Sequence, residues 1–123
     1  ERRPVVAAVD LQGASRLGDD WAAFAFACVG AVGLVSVAAH LVGTPLHRML
    51  DLVAAGDVGS ARAIHEDLSP LFDALFVTSN PIQLKAALAI LGLPAGDPRL
   101  PLVPADAAER ARIEEALERV GLR

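Results

Sequence analysis

Apolar positions crowd the first third of the chain and then settle into helical stripes. Residues 21–43, WAAFAFACVGAVGLVSVAAHLVG, run for 23 residues without an Asp, Glu, Lys or Arg. A helix of about 20 apolar residues crosses a bilayer, so a membrane span is the first reading to weigh. The make-up of the run argues against it. Ala and Gly outnumber Leu and Phe, which weakens the drive into lipid. Gly30 and Gly33 interrupt the middle, and each costs a helix roughly 1 kcal/mol relative to Ala. The run instead divides in three. A helix covers about 20–29, led by Asp19 and Asp20, whose charge suits the positive end of a helix dipole. A turn follows at Gly30–Gly33. Leu34-Val35-Ser36-Val37 then reads as a buried strand over 33–38.

Downstream, residues 45–55 place Leu46, Met49, Leu50 and Val53 on one helical face, with Pro45 in the first turn and Gly56 at the stop. Asp57 caps a second helix, 57–76, with the stripe Val58, Ala61, Ile64, Leu68, Leu71, Leu75 and Phe76. Pro70 removes a backbone donor, which predicts an interruption and a kink near Glu66. Asn80-Pro81-Ile82-Gln83 reads as a helix start, with Asn80 as cap and Gln83 closing the capping box. That helix, 81–91, stops at Gly92. Pro94, Pro98, Pro101 and Pro104 keep 92–105 extended. Asp106 and Glu109 open a last helix, 106–120, with Ile113, Leu117 and Val120 on its apolar face. Val5–Val9 is a further strand candidate.

Composition narrows the class. Of 123 residues, 54% are hydrophobic and 21% charged, and the net charge is −4. So apolar a chain suggests surface covered by a partner or wrapped around a ligand. The acidic balance, with no basic stripe, speaks against nucleic acid. Cys28 is the one cysteine. It excludes an internal disulfide, favours the cytoplasm and, within the apolar run, reads as a buried, inert thiol. Glu1-Arg2-Arg3-Pro4 has no apolar h-region of a signal peptide.

Taken together, GDD (18–20), AVGLVSVAAHL (31–41), AAGDVGSARAIHEDLSPLFDALFVTSNPIQLKAALAILGL (54–93) and DPRLPLVP (97–104) resemble the C-terminal part of the dihydrodipicolinate synthase and N-acetylneuraminate lyase family. The resemblance covers residues 18–123, expected as one helix-rich domain, after a divergent segment 1–17. It implies a mainly α fold: the last part of an (α/β)8 barrel plus its C-terminal helices, with one or two short strands. Gly18-Asp19-Asp20 would end the seventh barrel strand. Gly33–Val37 would be the eighth, with Val35 where the family places a carbonyl near its Schiff-base lysine. That lysine, the family's catalytic tyrosine and its paired threonines lie upstream of the match, so the resemblance implies ancestry and local fold without carrying over the pyruvate-dependent activity.

Few residues offer chemistry of their own. Lys85 is the single lysine, and a Schiff base needs burial or a cationic neighbour to lower its pKa; a structural lysine is the plainer reading. Asp19 and Asp20 are adjacent, and neighbours on a helix start do not face each other, so capping is favoured over acid–base work. His40, His47 and His65 are too scattered for zinc, and no cofactor is expected. Ser36 lacks a nucleophile elbow.

Three functional readings follow. One is a truncated relative without Schiff-base machinery. It would bind a hydrophobic small molecule and promote a cofactor-free, lyase- or cyclase-type reaction by holding a reactive conformer. The second is part of a complete pyruvate-dependent synthase. The third is a helical subunit that completes a partner's barrel. Self-association, most simply as a dimer, is expected from the apolar surface. A pocket would draw on Trp21, Phe24, Phe26, Val35, Val37, His40, Met49, Phe72 and Phe76, with His40 or Ser36 as its polar handle.

Overall fold

The computed structural model describes residues 20–31 and 34–123. A 3₁₀ turn, Asp20–Ala22, leads into α1, Ala23–Cys28, followed by α2, Ala39–Ala54, α3, Val58–Leu75, α4, Ile82–Ile90, and α5, Ala107–Arg119. Packing divides the described residues into two compact units, the first ending at Glu66 and the second running from Asp67 to Arg123.

In the first unit α1 packs on α2. Val42, Leu46 and Met49 are the buried residues of α2, a spacing of four and three that puts them on one face. Val42 departs from helical geometry at φ −124° and ψ 34°, three residues before Pro45. Proline has no N–H to donate, so it is tolerated in a first turn. The backbone restarts its helix at Val42 and Pro45 falls in that first turn. At the far end Gly56, at φ 85°, donates to Val53 O at 3.0 Å while Asp57 N reaches Leu52 O at 2.9 Å. A left-handed residue closing the last carbonyls in this way favours glycine. Asp57 then caps α3, accepting from Ser60 N at 3.1 Å. Bonds from the Ser60 side chain and backbone hold the Asp57 carboxyl below its usual range.

In the second unit α4 packs on α5. Its buried residues include Leu71, Phe72, Leu75, Ala87, Ile113 and Leu117. The capping box of α5 forms as read from sequence. Glu109 N donates to Asp106 Oδ1 at 2.8 Å, and Asp106 N to Glu109 Oε2 at 2.9 Å. Residues 92–105 contain no helix or strand.

Four expectations change. No strand is found among the described residues. Leu34–Val37 runs without a ladder because a strand exists only against a neighbour, and no described residue supplies one; Val5–Val9 lies outside the described residues. Of the 21–43 run, the helix at its front is found, but its last part enters α2 at Ala39, and of the turn expected at Gly30–Gly33 residues 32 and 33 lie outside the described residues; no helix described is long and apolar enough to cross a membrane. Pro70 does not interrupt α3, which continues to Leu75. Only the bond to the Glu66 carbonyl is forgone, while burial of Leu68, Leu71, Phe72 and Leu75 favours the continuous helix. Asn80 is not the cap of α4. Pro81 holds that position with no side-chain bond, and Gln83, instead of closing a capping box, is buried and donates to Thr78 Oγ1 at 2.8 Å.

Candidate functional site

The nine residues expected to line a pocket differ in burial and divide between the two units. Met49 and Phe72 are fully buried. Val35 is 62% exposed and His40 is also exposed. Trp21 is 39% exposed; Phe24, Phe26, Val37 and Phe76 are half-buried. Phe72 and Phe76 belong to the second unit and the other seven to the first.

Two of the nine do meet, around a histidine that the sequence offered only as a scattered metal-ligand type. His65 on α3 stacks on Phe24, with ring centroids 5.5 Å apart and planes at 23°, and meets Trp21 edge-on at 5.7 Å and 76°. Trp21 and Phe24 are three residues apart at a helix start and so share a face, which was legible; that α3 would supply their partner was not. Burial pushes the His65 imidazole below its ordinary value near 6.5, and the charge of Glu66 partly opposes this. The folded state therefore prefers neutral imidazole. The stabilisation this gives is complete above the unfolded value near 6.5 and is lost as pH falls through the lowered folded value. Thermal melts followed by Trp21 fluorescence should show a falling Tm between pH 7.5 and 5, and His65→Phe should flatten that slope. An unchanged slope in the variant would sink the assignment.

A hollow of about 540 Å³ does exist in the first unit. Ala27, Cys28, Gly30 and Ala31 form one side; His47, Leu50, Asp51, Val53 and Ala54 of α2 form the other, with Val58 completing it. None of the nine expected residues lines it. Its polar element is an exposed pair one helical turn apart, His47 Nδ1 and Asp51 Oδ2, 3.1 Å from each other. Cys28 is exposed there, not buried as expected, because the short α1 turns its Ala23 and Ala27 face inward. A smaller, polar depression of about 220 Å³ in the second unit lies among Asp73, Arg112, Glu115 and Arg119.

Lys85 has a structural task. Its Nζ donates to the carbonyls of Ala95, at 2.8 Å, and Asp97, at 3.0 Å. It thereby ties the proline-rich segment back to α4. No cluster of three metal-ligating side chains is found among the described residues. Asp20, read as a local cap, is fully buried and accepts from Ala38 N at 2.9 Å. The sequence marked it as an acid at the front of an apolar run and as part of the GDD motif at 18–20. Asp19 lies outside the described residues.

Comparison with known proteins agrees with the resemblance. Residues 10–120 match the model of the dihydrodipicolinate synthetase family. The chain is 49% identical over 105 residues to the 4-hydroxy-tetrahydrodipicolinate synthase of Moorella thermoacetica, covering 85% of this chain and 36% of that protein. The corresponding synthase of a Cyanothece species is 50% identical over the same length, with the same coverage. Among solved structures, the dihydrodipicolinate synthase of Thermotoga maritima superposes with a TM-score of 0.82 at 34% identity, covering 86% of this chain and 36% of that one. The synthase of Cyanidioschyzon merolae, solved with lysine bound, gives 0.83 at 40% identity with the same coverage. The chain thus spans about a third of the length of the relatives it matches.

Proposed function

The chain belongs to the dihydrodipicolinate synthetase family, and on that premise we propose that it does the work of the C-terminal part of a 4-hydroxy-tetrahydrodipicolinate synthase. The observation that carries this reading is the alignment: about half of 105 consecutive residues are identical to synthases of which they make up 36%. In this reading the chain contributes helices and the 34–37 segment to a barrel, and the pyruvate-binding lysine is supplied by the rest of that barrel.

The chemistry of Lys85 supports the division of labour. An amine attacks a ketone through its neutral lone pair. Donation to the Ala95 and Asp97 carbonyls holds the nitrogen at the proline-rich segment. Incubation of the chain with pyruvate and borohydride, followed by intact mass, should give no pyruvyl adduct, while the Moorella synthase under the same conditions serves as the reference. An adduct on Lys85 would overturn the reading.

The hollow beside Cys28 favours a second reading, in which the chain alone holds a hydrophobic small molecule and acts on it by shape. Its volume falls within the usual span for small-molecule sites, about 300–1,000 Å³. Ligand-dependent melting of the chain by itself separates the two. Exposed Val29 and Val35 in the first unit, and Leu100 and Val103 in the second, are apolar positions through which a dimer or a larger barrel would form.

A further inference from the structure

We propose that Asp20 is a positioning residue whose buried carboxylate sets the backbone of residues 34–37. Ala38 immediately precedes α2, and its N–H donates to Asp20 Oδ2 at 2.9 Å across 18 residues. The next N–H, that of Ala39, donates to Ser36 Oγ at 2.9 Å. The first amides of a helix have no partner within it and are commonly met by one side chain close in sequence. Ser36 is that local cap. Asp20 adds what Ser36 cannot, a link from the 3₁₀ turn before α1 to the start of α2.

A carboxylate with 0% exposure is costly to bury unless it is hydrogen-bonded, so an acid is a poor choice for a position that needs only packing. No described residue pairs with 34–37 in a ladder, and Val35 is 62% exposed. Two side chains bind the amides that follow the segment and so hold its C-terminal end. The consequence for catalysis rests on the proposed function, because the resemblance puts the Val35 carbonyl beside the reacting lysine; the geometry does not rest on it.

Amide exchange and backbone chemical shifts of the 123-residue chain test the geometry directly. In Asp20→Ala the Ala38 amide should exchange at least about tenfold faster, the equivalent of one hydrogen bond to a charged acceptor, and the Val35–Val37 shifts should move. Asp20→Asn keeps an acceptor oxygen and should restore most of both. Exchange around Met49 in the middle of α2 should be the same in all variants, which reports that the first unit is intact. Ser36→Ala should release Ala39 and leave Ala38 protected. Unmoved Val35–Val37 shifts in Asp20→Ala, or release of Ala38 by Ser36→Ala alone, would overturn the proposal. Borohydride trapping tests the proposed function without involving these amides, so the two ideas fail separately.

Discussion

Replacing Phe72 by Ala is expected to lower the stability of the chain by about 3–5 kcal/mol. Phe72 is fully buried on α3, in a unit whose core also includes Leu71, Leu75, Ile113 and Leu117. Removing the ring forfeits its transfer free energy and leaves a void that close-packed neighbours fill only in part. A loss of that size is comparable to the whole stability of a small domain, so the variant should melt far below the parent or fail to fold. Phe72→Leu keeps most of the volume and should retain the cooperative transition. Urea melts followed by circular dichroism at the helical band would read both. A Phe72→Ala loss under about 1 kcal/mol, with new affinity for an aromatic ligand, would instead make Phe72 the wall of a pocket.

Met49→Ala is expected to cost about 2–5 kcal/mol. Met49 sits at 0% exposure on the buried face of α2 with Val42 and Leu46. Leucine at this position should cost under about 1.5 kcal/mol, since the two side chains have similar volume. The contrast with Val35 and His40 is the useful part. Both were grouped with Met49 and Phe72 as candidate pocket residues, and both are exposed. Val35→Ala and His40→Ala should therefore stay within about 0.5 kcal/mol of the parent. Equal losses in all four variants would contradict the burial pattern.

Helix positions were legible in the sequence because their causes are local. Asp57 accepting from Ser60 and the reciprocal Asp106–Glu109 box need only residues within one turn of each other. Gly56 and Gly92 take the left-handed conformation that the end of an apolar stripe with glycine predicts. The helix at the front of the 21–43 run was legible for the same reason. The family itself was carried by order and spacing of short motifs, which need no coordinates.

Tertiary structure decided the rest. Whether Leu34–Val37 forms a strand depends on a neighbour that the segment itself does not encode, and among the described residues it has none. Asp20 meeting Ala38 and His65 meeting Trp21 and Phe24 join residues 18 to 44 positions apart, pairings that no local period expresses. Cys28 and Met49 are both apolar-type residues in apolar surroundings of sequence, yet one is exposed and the other buried. Periodicity assigns a residue to a face of its own helix, and only the packing of other elements determines which faces water reaches.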